Sequence, residues 1–160
     1  MYLKYNRKKN LFYFLITLTI FLIDIFSKLI ILLYLLPGES IEIIPKYLNF
    51  THIYNPGIIF GIYSNQKKYC YIFSIILSVT MLIILTIKVY KKNKKNSIIY
   101  SIIIGGILGN LLNRILLYGI IDFIDFYIYN YHFPIFNFAD ISIIIGIGLI
   151  IFKFNNTKIT

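Results

Sequence analysis

The chain of 160 residues holds six carboxylates, and four of them, Asp24, Asp122, Asp125 and Asp140, lie inside or directly beside long apolar runs. An ionisable group in such surroundings costs about 2.5–3.5 kcal/mol on insertion scales, so each needs a partner or a purpose. Two acids held close in a low-dielectric site cannot both ionise comfortably, and one keeps its proton while the other remains a base. Such a pair suits the hydrolysis of an amide by water. The base takes water's proton as the oxygen attacks, and the acid donates to the carbonyl oxygen without a covalent intermediate. Other chemistries have weaker support in the residues. Ser27 and Lys28 are neighbours, about 100° apart on a helix, and Cys70 has no histidine near it in sequence. His52 and His132 stand apart and no H-E-x-x-H occurs, so neither a metal nor another cofactor is expected.

The elements that must position these groups are spanning helices. Of the residues, 59% are apolar and 14% charged, the balance of a membrane protein. A hydrocarbon core of roughly 30 Å needs about 20 apolar residues per crossing. Four runs qualify, over about residues 11–36, 70–89, 97–118 and 138–154. The cations sort by loop: Lys4, Arg7, Lys8 and Lys9 precede the first run, Lys88, Lys91, Lys92, Lys94 and Lys95 lie around the junction of the second and third, and Lys153 and Lys158 close the chain. By the positive-inside rule both termini are cytoplasmic. Residues 37–69 and 119–137 then face outward. The first run is too long for a cleaved leader and reads as a retained anchor. The net charge of +10 follows from topology and attraction to anionic lipid, and a nucleic-acid partner is not expected.

The fold class expected is an all-α membrane protein of one domain, residues 1–160, with four transmembrane helices. Pro37-Gly38, Pro45 and Pro56-Gly57 punctuate residues 37–69, which predict a small β-rich extracytoplasmic cap. Residues 119–137 are rich in Phe and Tyr and predict an interfacial aromatic segment.

Each polar position has a bland reading beside a functional one. Asp24 and Lys28, four apart with the acid first, form either an internal ion pair or part of a site. Asn110, Asn113 and Arg114 share a face with Gly106, while Gly105 and Gly109 form the G-x-x-x-G of close helix packing. Arg114 either snorkels to headgroups or lines a polar cavity. Asn137 is a favoured N-cap and Asp140 suits the first turn that follows. With the third helix leaving where the fourth begins, Arg114, Asp122, Asn137 and Asp140 fall at one depth on the outer side.

Five blocks in order resemble the lipoprotein signal peptidase, or signal peptidase II, family. They are Asp24-Ile-Phe-Ser-Lys28, similar to D-x-x-S-K; Asn55-Pro-Gly57-Ile-Ile-Phe60-Gly61, similar to N-x-G-x-x-F-G; and Gly105-Gly106-Ile-Leu-Gly109-Asn110-Leu-Leu-Asn113-Arg114, similar to G-G-x-x-G-N-x-x-D-R. Ile121-Asp122-Phe123-Ile124 and Phe133-Pro134-Ile-Phe136-Asn137-Phe-Ala139-Asp140 follow, similar to V-x-D-F-I and F-P-x-F-N-x-A-D. The resemblance implies a catalytic pair of Asp122 and Asp140. It implies binding or supporting roles for Asn55, Gly57, Gly61, Asn110, Arg114, Asn137, Asp24 and Lys28. It further implies a bacterial cytoplasmic-membrane enzyme, active as a monomer on its outer side. The substrate would be a diacylglyceryl-modified prolipoprotein cut before its lipidated cysteine, and the cyclic peptide globomycin would inhibit. Asn113 departs from the family pattern, which has an acid there. Asp125, three residues after Asp122, is a rival for the catalytic position. Without the resemblance, a small ion-conducting protein built on Asp24 and Lys28, and an assembly subunit built on G-x-x-x-G packing, remain open.

Overall fold

In the computed structural model the described residues are 2–56, 67–91 and 96–156. Four helices, α1 (Tyr2–Tyr34), α2 (Lys67–Tyr90), α3 (Ser97–Leu117) and α4 (Phe138–Asn156), are each long and apolar enough to cross a membrane. They carry at one end a four-stranded antiparallel sheet, β1 (Ser40–Ile44), β2 (Leu48–Asn55), β3 (Ile120–Ile128) and β4 (Tyr131–His132), ordered as in the chain. α1 begins well before the apolar run, because the polar residues that precede the run continue its backbone hydrogen bonding beyond the hydrocarbon.

The centre of the bundle is α3, which packs against each of the other three helices. Half of its apolar window is buried, against 11–17% for the other helices, whose outer faces are left for lipid. Small residues permit this close approach. A side chain at Gly105 would lie 2.8 Å from the Thr17 carbonyl of α1, and one at Gly106 would lie 2.5 Å from the Ala139 carbonyl of α4. The glycine pair is therefore a packing device toward two different helices.

The sheet joins the two outer segments. Residues of the aromatic segment 119–137 pair with the cap, β3 with β2 along Leu48↔Phe126 to Asn55↔Ile120, so both outer segments build one sheet. Six of the nine residues of β3, from Ile120 to Asp125, are buried. Backbone pairing decides this, since a strand buried against the helix ends must find partners for its amides and carbonyls. The turn from α3 into β3 is made by Tyr118, left-handed at φ 58°, whose amide donates to the Arg114 carbonyl at 2.9 Å. Phe123 and Ile124 join Ile31 of α1 and Leu35 just beyond its end in a core that seats the sheet on the bundle.

Candidate active site

The start of α4 is built by two side chains that serve each other. Asn137 stands at the N-cap, where its Oδ1 accepts the Asp140 amide at 3.0 Å, and Asp140 Oδ2 in turn accepts the Asn137 amide at 3.2 Å. This is a reciprocal capping box, so the bland reading of both residues holds. It also leaves one donor and one acceptor free for other work. Asn137 Nδ2 donates to Asp122 Oδ1 at 2.6 Å, and Asp140 Oδ1 accepts from Asn110 Nδ2 at 2.8 Å. Because Asn137 Oδ1 faces a backbone N–H, its Nδ2 must be the atom that faces Asp122. One fully buried residue thus touches both carboxyl groups, Asp122 through its side-chain amide and Asp140 through its backbone N–H.

The same logic extends the network toward α1. Lys28 Nζ donates to Asp24 Oδ2 at 2.7 Å and to Asn110 Oδ1 at 2.8 Å, which fixes the Asn110 amide with its nitrogen toward Asp140. Asp24 Oδ1 accepts the Ala139 amide at 2.9 Å, satisfying a further free N–H at the start of α4. Asp24 and Lys28 are thus an internal ion pair that also bonds Asn110 and the start of α4. Gly109 makes room for it, since a side chain there would collide with the Asp24 carboxylate. At the other end Asn55 Nδ2 donates to Asp122 Oδ2 at 2.9 Å. Hydrogen bonds therefore run unbroken from Asp24 through Lys28, Asn110, Asp140, Asn137 and Asp122 to Asn55, joining α1, α3, α4, β3 and β2.

Burial is the main reason the Asp122 carboxyl titrates at about 6, well above its ordinary 3.8. The amide of Asn55 opposes that rise, the charge of Asp140 adds to it, and Asn137 and Lys28 oppose it.

Asp125 is placed elsewhere. Successive strand residues point to opposite faces, so an acid three positions after Asp122 on β3 faces away from it. Asp125 instead accepts the Thr51 hydroxyl at 3.2 Å and contacts His132 Nδ1 at 2.9 Å, tying β2, β3 and β4 together. The ambiguity between Asp122 and Asp125 in the sequence came from leaving the local conformation open.

Asn113, where the family pattern has an acid, does not pair with Arg114. Its Oδ1 accepts the Ile121 amide at 3.1 Å and so anchors the backbone immediately before Asp122. That role had no signal in the sequence, because an acceptor for a strand amide becomes visible only when β3 is folded back onto α3. Arg114 is half-buried and lies within electrostatic range of both Asp140 and Asp122, and its Nε has no hydrogen-bond partner among the described residues. Gly57 and Gly61 lie outside the described residues. Ser27 donates to the Asp24 carbonyl at 2.7 Å as an ordinary helical serine, and His52 is buried against the Leu35 carbonyl at 2.8 Å. Among the described residues no three His, Cys, Asp or Glu side chains gather as a metal site.

Comparison with known proteins agrees with this architecture along nearly the whole chain. Residues 16–155 match the model of the family described as signal peptidase (SPase) II. A lipoprotein signal peptidase of Blochmanniella pennsylvanica is 40% identical over 154 residues, covering 94% of this chain and 92% of that protein. The lipoprotein signal peptidase of Wigglesworthia glossinidia brevipalpis is 44% identical, covering 87% of this chain and 91% of its own length. A bacterial membrane enzyme solved by the in meso method superposes with a TM-score of 0.79 at 35% identity, covering 91% of this chain and 88% of that one. The chain belongs to the signal peptidase II family of bacterial membrane peptidases.

Proposed function

We propose that this protein is an aspartic endopeptidase in which Asp122 and Asp140 share one proton and activate water. It removes signal peptides from diacylglyceryl-modified prolipoproteins, cleaving before the lipidated cysteine. The observation that carries the reading is the placement of Asn137, whose one side chain caps Asp140's helix and donates to Asp122. Two sequence-distant acids are thereby bonded to a single asparagine where sheet and bundle meet.

Burial raises Asp122, so Asp122 holds the shared proton and donates it to the scissile carbonyl, while Asp140 takes the proton of the attacking water. Departure of the amine reverses the roles and restores the starting state. Asn110 and Lys28 hold Asp140 in place from below, and Asn55 holds Asp122 from the sheet. Arg114, with an unpartnered Nε among the described residues and both acids within electrostatic range, binds polar groups of the substrate. The cations at the helix ends opposite the sheet support an orientation with both termini in the bacterial cytoplasm and the dyad at the outer leaflet. A lipid-anchored precursor lies at that depth and reaches the dyad laterally between helices. The protein acts as a monomer, and globomycin competes with the precursor.

The test is cleavage of a diacylglyceryl-modified precursor by purified wild type and by Asp122→Asn, Asp140→Asn and Asp125→Asn. Each dyad substitution is expected to lower the rate by about 10²–10⁴-fold, the usual contribution of acid–base catalysis, whereas Asp125→Asn retains activity. An active Asp122→Asn beside a dead Asp125→Asn would overturn the assignment.

A further inference from the structure

A helix leaves its last four carbonyls without intrahelical partners, and in α3 these belong to residues 114–117. Two of them are met by tyrosine hydroxyls from other elements. Tyr54 of β2 donates to the Leu117 carbonyl, and Gly119 leaves the space that its ring occupies. Tyr71 of α2 donates to the Arg114 carbonyl at 3.0 Å, beside the Tyr118 amide that reaches the same oxygen at 2.9 Å. Both lone pairs of that oxygen are thus engaged. The Tyr71 ring also lies against Tyr118, with centroids 5.8 Å apart. Tyr118 is left-handed, a conformation that bulky side chains disfavour, so the ring contact steadies the turn where it is weakest.

Arg114 therefore has a tethered backbone and an open side chain. Its Nε is buried without a partner among the described residues, so the main chain, rather than a bond to Nε, sets where the side chain starts. Helix ends fray when their carbonyls are released. A small backbone shift then becomes a larger one at the far end of a long side chain. α2 packs on α3 and supplies no member of the hydrogen-bonded line from Asp24 to Asn55. Through Tyr71 it nonetheless reaches a residue whose charge lies within range of both acids.

We infer that Tyr71 is a positioning residue for cleavage: its hydroxyl holds the end of α3 so that Arg114 meets the polar groups of the precursor. This role rests on the substrate contact proposed for Arg114 and is independent of which acids form the dyad. A cap that served stability alone would have no tie to the Arg114 side chain.

The test is kcat and KM for a diacylglyceryl-modified precursor, cleaved by the full chain in detergent, for wild type, Tyr71→Phe, Arg114→Gln and the double variant. Phenylalanine keeps the ring against Tyr118 and removes only the hydroxyl. Tyr71→Phe is expected to raise KM about three- to tenfold, the worth of one hydrogen bond, with kcat kept. Arg114→Gln should raise KM further, and adding Tyr71→Phe to it should change nothing more. Ser74→Ala removes a hydroxyl bonded to the Tyr71 carbonyl within α2, and both constants should stay at wild-type values. Where Arg114→Gln cleaves too slowly for kinetics, the same cycle is read as precursor affinity in the Asp122→Asn background. An unchanged KM in Tyr71→Phe overturns the inference. So does a rise of the same factor with and without Arg114, or an equal rise in Ser74→Ala, because each traces the effect to α2 packing alone. Arg114→Gln with a wild-type KM overturns instead the role of Arg114, and the inference with it.

Discussion

Replacing Asn137 with serine separates its two duties. A serine hydroxyl can still cap α4 by accepting the Asp140 amide, but nothing then donates to Asp122 Oδ1 in place of the 2.6 Å bond. A hydrogen bond to a charged acceptor contributes about 1.5–3 kcal/mol, and one pKa unit corresponds to about 1.36 kcal/mol. Losing the donor disfavours the ionised carboxyl, so Asp122 should rise by roughly one to two units, from about 6 to roughly 7–8. If Asp122 carries the shared proton, loss of that proton ends activity on the alkaline side. The alkaline limb should therefore move upward by one to two units, with the helix cap and hence thermal stability largely kept. The assay is kcat/KM for a diacylglyceryl-modified precursor between pH 5 and 9, which reports the free enzyme. An alkaline limb that stays in place or moves downward refutes the reasoning, because neither is compatible with Asn137 stabilising the Asp122 carboxylate.

Three further outcomes follow from the same network. Lys28→Met leaves Asp24 buried without its cation and should cost about 3–5 kcal/mol, whereas adding Asp24→Asn should recover much of the loss; thermal or chemical denaturation in detergent measures both. Gly109→Ala drives a methyl into the space of the Asp24 carboxylate, so it should lower stability by about 1–3 kcal/mol and cleavage with it, read by denaturation and precursor processing. Asn113→Asp keeps an acceptor for the Ile121 amide, so the variant should fold and cleave within a few-fold of wild type, while Asn113→Leu orphans that amide and should cost about 1–3 kcal/mol.

The linear chain was sufficient for the four spans, because apolar length against bilayer thickness is a one-dimensional quantity. It was sufficient also for the glycines that let α3 pack closely, and for Asn137 and Asp140 as the start of α4, since capping is local. The motif order carried the remaining site residues, Asn55, Asn110 and Arg114, to their candidate roles. What only the tertiary structure decided was how these local features share atoms. Asn137 caps a helix and bonds Asp122 with opposite ends of one amide, and Asp24 pairs with Lys28 while also receiving a backbone amide from α4. The separation of Asp122 from Asp125, and the anchoring of β3 by Asn113, both depended on residues 120–128 becoming a strand in the same sheet as β2. Pairing between segments some seventy residues apart leaves no periodic mark in either one, since its register is set by the partner backbone and by the core beneath it.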